Sequence, residues 1–191
     1  MNPRMKFTAI ATTVLLTAGS ATGAEPAKHS NFVKETFGKV AFIGAGVSAG
    51  VGQLRNNPKA WGQGVEGFSK RFASGFAGHI VNNSIAYGVG HALHEDMRYY
   101  PSDKQGFGPR LGYALESTVI THRTDTGDRT VAYGRISGAV GGGFISRFWQ
   151  PVALHTFASG ITSAGVSLGA QAGTNVIREF WPEIRHPRSR E

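Results

Sequence analysis

The chain of 191 residues contains no cysteine. Disulfide bonds, thiolate nucleophiles and cysteine-ligated metal sites are therefore excluded, and so is lipid attachment to a cysteine behind an export signal. A domain of this kind depends on core packing alone for its stability, and a chain of this length suffices for one ordinary domain.

The sequence also lacks the familiar catalytic motifs. It has no Gly-x-Ser-x-Gly elbow and no His-Glu-x-x-His motif, so hydrolase and zincin chemistry are not supported. The glycines around Gly44 have no strand–helix–strand context for a nucleotide loop. Residues 124–128 have too few spaced carboxylates for an EF-hand, and we interpret them as a turn in which Gly127 adopts a positive φ.

The first 24 residues have the three-part composition of a secretory signal peptide. Arg4 and Lys6 precede an apolar run that begins at Phe7, and small residues follow up to Ala24. The run has about 12 residues whereas a membrane span needs about 20, so we predict cleavage after Ala24 or Gly23. The predicted organisation is a signal peptide over 1–24, one helical domain over 25–184 and a basic flexible tail over 185–191. We expect a periplasmic or cell-envelope protein.

Acidic residues are scarce: Asp and Glu number 12 against 20 Lys and Arg, a formal net charge of +8. Loss of Arg4 and Lys6 with the signal peptide lowers the net charge from +8 to +6. The tail either contacts a membrane surface or an anionic envelope polymer, or binds nothing in particular. No nucleic-acid partner is predicted, because the protein is exported and carries no recognised binding motif.

Apolar residues recur at spacings of three and four, the period of an α-helix. Breaks are predicted at Pro58, Pro101, the turn at 124–128 and Pro151. We therefore predict an all-α, single-domain bundle of about five helices, over about 31–55, 58–96, 111–119, 130–149 and 151–180. Asp128 or Thr130 is the expected cap of the fourth helix.

Glycine is unusually abundant, with 27 residues. A glycine costs a helix up to about 1 kcal/mol relative to alanine, so a compensating contact is expected. Four-residue spacing aligns small residues on one helical face, where another helix approaches closely. We predict such glycine-zipper packing faces, within the chain or in a homo-oligomer, while Gly-rich strands are the alternative. The sets are Gly134, Gly138 and Gly142; Gly165, Gly169 and Gly173; and the shorter Gly46/Gly50 and Ser84/Gly88/Ala92.

Two long stretches, 72–94 and 148–177, contain no Asp, Glu, Lys or Arg and are long enough to cross a membrane. They also contain polar residues such as His79, Asn82 and Asn175, which are costly in hydrocarbon. We therefore favour a water-soluble or peripherally attached bundle over an integral membrane protein.

The densest cluster of ionisable residues lies between His91 and Arg98. On a continuous helix His91, His94 and Glu95 share one face, the arrangement used by helical metal sites, although no third ligand is evident. The alternative is a helix terminus in which Glu95 or Asp96 pairs with Arg98. The cluster His91, His94, Glu95, Asp96 and Arg98 is our candidate ligand-binding site, and the first three are the metal candidates. No catalytic residue and no cofactor are predicted.

Five phrases spread over the predicted mature chain recur together in one family. They are Gly52-Gln53-x-x-Asn56-x-Pro58, Trp61-Gly62-Gln63-Gly64-x-x-Gly67-Phe68-x-Lys70-Arg71-Phe72, His94-Glu95-Asp96-x-Arg98-Tyr99, the segment 121–129, and Glu179-Phe180-Trp181-Pro182-Glu183-Ile184. In these phrases the chain resembles an uncharacterised family of exported proteins frequent in acidobacterial genomes. The resemblance implies no activity, cofactor or catalytic residue. Met97 stands where the family has proline.

The sequence favours a non-enzymatic envelope protein with a structural or interaction role. One alternative is a metal- or small-ligand-binding enzyme centred on His91, His94 and Glu95. A second alternative is an oligomeric, membrane-inserted glycine-zipper protein.

Overall fold

A computed structural model describes residues 26–185. The predicted signal peptide therefore lies outside the described residues. The predicted tail does so as well, except for Arg185, which is the last residue of the final helix.

The described chain is mostly helical, which confirms the all-α prediction. Its helices are α1 (Pro26–Phe37), α2 (Lys39–Leu54), α3 (Gly64–Ala92), α4 (Phe107–Glu116), α5 (Tyr133–Ile145) and α6 (Phe157–Arg185). Short 3-10 turns occupy Lys59–Trp61, Ser146–Trp149 and Val152–Leu154. One antiparallel hairpin joins β1 (Ile120–His122) to β2 (Arg129–Val131), with Thr121 opposite Thr130.

The hairpin corrects the prediction around the fourth helix. Thr130 lies in β2 and Asp128 in the turn before it, so neither caps α5, which begins at Tyr133. The N-cap residue is Ala132, which has no side chain able to accept a hydrogen bond. Three-residue strands are too short to produce a recognisable alternation in the sequence. The predicted positive φ of Gly127 is confirmed, at 77°.

Helices α2, α3, α5 and α6 form the bundle, in which α3 packs against both α2 and α5, and α6 packs against α5. Gly142 lies near Asn82 and Gly134 near Gly90, so α3 and α5 are antiparallel. The bundle therefore has two ends. The α2–α3 end carries the connection 55–63 and the turns 146–154; the hairpin end carries residues 93–131, including α4, which packs against α6.

The contact between α3 and α5 is made backbone to backbone. A Cβ atom on Gly138 would lie 2.5 Å from the carbonyl oxygen of Asn82, and one on Gly134 would lie 2.5 Å from that of Ala86. At Gly142 the nearest atom, the Cβ of Asn82, would be 3.1 Å away. Side chains at these positions would push the two helices apart, so the glycines set the spacing of the bundle.

The other predicted glycine faces behave differently. Added Cβ atoms at Gly165, Gly169 and Gly173 would meet no heavy atom within 4 Å among the described residues. Helix α6 instead approaches α5 through Gly160 and Ala164, where a Cβ on Gly143 would lie 2.7 Å from the Gly160 carbonyl oxygen. The shorter sets also face away from the contacts, since Gly46, Gly50 and Gly88 have open surroundings in the part of the chain described. Their neighbours Ala41, Ala45, Ala49 and Ala86 are buried in their place.

The core contains no large apolar side chain among residues 26–185. Its buried apolar residues are all alanine: Ala41, Ala45, Ala49, Ala86, Ala114, Ala132, Ala139 and Ala164. The largest fully buried side chains are those of Glu179, Asn175 and Thr36. Small and polar groups therefore occupy the positions that Leu, Ile and Phe normally take.

Large apolar side chains cover the outside of the four bundle helices. Ile43, Val47 and Val166 are 64%, 63% and 67% exposed. We name as the apolar belt the stretches of these helices without Asp, Glu, Lys or Arg, namely 40–54, 72–92, 136–145 and 157–177. The segment Asn31–Leu54 has the length and composition of a membrane span, and 17% of its most apolar window is buried.

Substitution by alanine should change the stability of the protein in opposite directions at Gly138 and at Gly169. We expect Gly138→Ala to destabilise the protein by about 1–3 kcal/mol, because its methyl group collides with the backbone of α3. Gly169→Ala should stabilise it by up to about 1 kcal/mol, since alanine is the better helix former and the position is open. Thermal unfolding of the purified variants measures both. Equal shifts would show that the α3–α5 contact does not require glycine.

Candidate functional site

The predicted metal face is not formed, because α3 ends at Ala92. His91 lies in its last turn and is exposed, and His94 is an exposed turn residue with a φ of 56°. Glu95 turns inward and is only 6% exposed. The chain changes direction after Ala92, so the Glu95 carboxylate does not share a face with the imidazoles of His91 and His94 as the helical pattern predicted.

Glu95 caps helix α5 from a distance in sequence. Its Oε1 accepts a hydrogen bond from the backbone N–H of Tyr133 at 2.9 Å, and its Oε2 accepts one from Gly134 at 2.9 Å. A carboxylate at a helix N-terminus satisfies free N–H groups and is stabilised by the helix dipole. Glu95 thus supplies the cap that Ala132 cannot.

Asp96 and Arg98 form the ion pair that the alternative interpretation predicted. Arg98 donates from its side chain to Asp96 at 2.9 Å and from its backbone N–H at 2.9 Å, and the Tyr100 hydroxyl donates to Asp96 at 2.9 Å. Burial raises the pKa of Asp96, but the hydrogen bonds from Arg98 and Tyr100 outweigh it and lower the pKa overall. This group braces the turn after α3.

The histidines do not converge. His79 Nε2 lies 3.0 Å from the carbonyl oxygen of Glu35, while His155 at the opposite end of the bundle lies 3.0 Å from that of Gln150. Across residues 26–185, no group of three or more His, Asp or Glu side chains is placed to hold a metal ion.

A cleft of about 200 Å³ opens beside the Asp96–Arg98 turn, between α4 and the hairpin. Its buried wall is Arg135, whose guanidinium donates to the carbonyl oxygens of Ser117 at 2.6 Å and Met97 at 3.1 Å. The acidic lining residue Glu116 is bonded to Arg129. The cleft is polar, but its charged groups are already engaged in binding the loop, α4 and the hairpin together.

Glu179 is the central polar residue of the hairpin end. It is fully buried and accepts hydrogen bonds from the Tyr99 hydroxyl at 2.7 Å, from the Ser102 hydroxyl at 2.7 Å and from Arg110 Nε at 2.9 Å. Burial by itself raises the pKa of Glu179, but these hydrogen bonds lower it to about 2. The carboxylate joins α6 to α4 and to the loop after α3. The sequence signal for it was its place in the Glu179-Phe180-Trp181-Pro182 phrase.

Sequence reasoning also missed three buried arginines. Arg71, Arg135 and Arg147 are 4%, 8% and 8% exposed, and their hydrogen-bond acceptors are mainly backbone carbonyl oxygens. Each lies at the border of a charge-free stretch, and that position is the signal that was available.

No protein-family model, curated protein or solved structure matches the chain.

If Glu95 caps α5 rather than binding a metal ion, the stability of the protein should depend on Glu95 but not on His91 or His94. Glu95→Ala should lower the free energy of unfolding by about 1–2 kcal/mol, because two N–H groups of α5 lose their acceptor. His91→Ala and His94→Ala, the matched controls, should change it by less than about 0.5 kcal/mol. Chemical denaturation with and without added zinc measures these values. Stabilisation by zinc that disappears in both histidine variants would restore the metal hypothesis.

The depressed pKa of Glu179 predicts acid sensitivity. Its ordinary value is 4.5, so the ionised group stabilises the fold fully above pH 4.5 and loses this contribution as the pH falls towards 2. Glu179→Gln should cost about 3 kcal/mol at pH 7, and the difference from the native protein should shrink between pH 4.5 and 2. Glu183→Gln is the control, because Glu183 also bonds Arg110 but is 60% exposed. A pH-independent difference would refute the role of the charge.

Proposed function

We propose that this protein is a non-enzymatic envelope protein with a structural or interaction role, whose apolar belt lies in a lipid bilayer. The observation that carries the proposal is the inverted burial, with alanine, Asn175 and Glu179 inside and large apolar side chains outside. In water-soluble domains Ile, Val, Leu and Phe are among the residues most often buried. Helices in lipid pack through small residues and hydrogen-bonded polar ones instead, because their large side chains gain nothing by leaving the lipid.

The lengths of two of the four belt segments support the proposal, and among the described residues Asn31–Leu54 is the segment that also has the mean hydropathy of a membrane span. Residues 72–92 of α3 and 157–177 of α6 each span about 31 Å at 1.5 Å per residue. The hydrocarbon core of a bilayer is about 30 Å thick. Arg71 and Arg178 border these two segments, so charged residues begin where a bilayer of this thickness would end.

The aromatic residues with polar tips support it as well. Of the eight Trp and Tyr residues, seven lie outside the belt segments, where membrane proteins concentrate them at the lipid–water boundary. Trp61 and Trp149 lie at the α2–α3 end; Tyr99, Tyr100, Tyr113, Tyr133 and Trp181 lie at the hairpin end. The exception, Tyr87, donates its hydroxyl to Glu35 at 3.0 Å.

Two of the three polar residues that favoured a water-soluble or peripheral bundle, His79 and Asn175, have partners within the chain, and so does Asn83. His79 lies 3.0 Å from the Glu35 carbonyl oxygen, and Asn83 donates to the Thr36 hydroxyl at 3.2 Å. Asn175 donates to the Ala114 carbonyl oxygen at 3.4 Å. Polar groups are tolerated at membrane depth when they face the protein interior and are hydrogen-bonded there. These internal hydrogen bonds therefore favour membrane insertion over peripheral attachment.

The cellular address and the partners stay predictions. Asn31–Leu54 follows the predicted cleavage site, so it belongs to the mature chain and is compatible with a membrane anchor. The open glycines Gly165, Gly169 and Gly173 leave a face for the predicted homo-oligomer. The metal-enzyme alternative gains no support, since His91 and His94 are exposed and Glu95 caps α5.

The absence of cysteine allows a direct test of insertion. Single cysteines at Val47 and Val166 place thiols in the belt, and single cysteines at Val65 and Phe107, which are 84% and 68% exposed, place them at the ends. In open membrane fragments, which expose both faces of the bilayer, a membrane-impermeant maleimide should label Cys at 65 and Cys at 107 and leave Cys at 47 and at 166 unlabelled until detergent and denaturant are added.

Extraction of the membranes with sodium carbonate tests insertion independently of the labelling. Sodium carbonate at high pH should leave the native protein in the membrane pellet. Equal labelling of belt and end thiols together with release by carbonate would overturn insertion and return the protein to the water-soluble or peripheral class.

A further inference from the structure

A groove opens at the α2–α3 end between α2 and α6. Its volume is about 390 Å³, and Arg71, Ser74 and Gly75 of α3 form its floor together with Arg147. Hydroxyl-bearing and small apolar side chains of α2 and α6 line the walls: Ser48, Val51, Ser159, Thr162, Ser163 and Val166. Arg55 stands at the edge, at the end of α2.

None of the carboxylates among residues 26–185 lines this groove. The sequence contains a single acidic residue between positions 36 and 94 and none between 129 and 178. That residue, Glu66, forms an exposed ion pair with Lys70 at 2.6 Å. Arg55, Arg71 and Arg147 therefore bring three positive charges to one concave surface without a negative charge among its lining residues.

The two buried arginines are held by neutral acceptors. Arg71 donates to the carbonyl oxygens of Asn57 at 2.9 Å and Pro58 at 3.0 Å, and to the side-chain oxygen of Gln53 at 2.7 Å. Arg147 donates to the carbonyl oxygens of Gly143 at 2.9 Å and Leu154 at 3.1 Å, and to the Ser163 hydroxyl.

These bonds position the guanidinium groups but do not neutralise them. Arginine has five N–H donors, and the three bonds of Arg147 leave two for a ligand. Buried charges in proteins are ordinarily paired with an opposite charge, because an unpaired one is costly. An anion bound in the groove would supply that charge.

We infer that this groove binds the phosphate group of a phosphate-bearing molecule. A planar guanidinium group can donate two parallel hydrogen bonds to a pair of phosphate oxygens, and the serine and threonine hydroxyls provide further donors. Val51 and Val166 are 42% and 67% exposed at the mouth, which suits an attached apolar chain. A phospholipid headgroup and free phosphate share this chemistry. The inference does not depend on membrane insertion, since both can be tested in detergent solution.

Two pairs of variants test the site without disturbing the buried arginines. Gly75→Phe places a ring in the groove, where an added Cβ meets no heavy atom within 4 Å; Gly88→Phe is the matched control, on the same helix in equally open surroundings outside the groove. Arg55→Gln and Lys59→Gln each remove one positive charge from the same end, but only Arg55 lines the groove.

The probes are inorganic phosphate and the short-chain lipid dihexanoylphosphatidylglycerol, titrated calorimetrically into the full-length purified protein. We expect binding of at least one probe, weakened about tenfold or more by Gly75→Phe and by Arg55→Gln, and unchanged by the two controls. Tighter binding of the lipid than of phosphate identifies a headgroup site, and the reverse identifies a site for free phosphate.

Two results would overturn the inference. One is the absence of binding of either probe to the native protein. The other is equal loss of affinity in Arg55→Gln and Lys59→Gln with no effect of Gly75→Phe, because that pattern describes general attraction of anions to a basic surface. Melting curves of all four variants confirm that they are folded.

Discussion

The backbone contact between α3 and α5 is the constraint on which the rest of the bundle depends. Gly134 and Gly138 allow α5 to lie directly against backbone carbonyl groups of α3. A larger residue at either position would collide with those carbonyl groups. This contact fixes both ends of α5. Its N-terminus lies over the Glu95 carboxylate, and its C-terminal extension brings Trp149 Nε1 to 3.1 Å from the Ser74 hydroxyl. The capped turn and the arginine groove are consequences of a single helix placement.

Close packing of small residues also determines where the charges lie. Alanine and glycine bury little apolar surface, so the interior gains much of its specificity from hydrogen bonds of Glu179, Asn175 and the buried arginines. At the hairpin end Glu179 has Arg110 as its ionic partner. At the α2–α3 end Arg71 and Arg147 have only neutral acceptors among the described residues. The two ends therefore differ in chemistry: one is internally neutralised, and the other carries a positive charge that no described carboxylate compensates.

The sequence predicted most of the helices because their apolar period is long and prolines lie at three of the breaks, Pro58, Pro101 and Pro151. It did not predict the break at Gly38 between α1 and α2, and α6 continues through Pro182 to Arg185, beyond its predicted end near Phe180. Spacing shows which residues share a face but not which way that face turns, so Gly138 lies against α3 whereas Gly169 has open surroundings among the described residues. The predicted metal face is not formed for a related reason. His91, His94 and Glu95 align only if the helix continues past Ala92, and the local pattern did not indicate its end. Buried arginine is not predictable from residue type, because arginine is ordinarily a surface residue.

A core made of alanine and glycine reverses the usual tolerance of a protein to mutation. Most interiors suffer when a side chain is shortened, because a cavity opens. Here the buried apolar residues and the contact glycines are nearly as small as side chains can be, so most substitutions at these positions enlarge them, whereas the large apolar residues outside can exchange for one another with little effect. Over evolutionary time the conserved signature of such a fold would be a spaced series of its smallest residues, with its most hydrophobic ones free to drift.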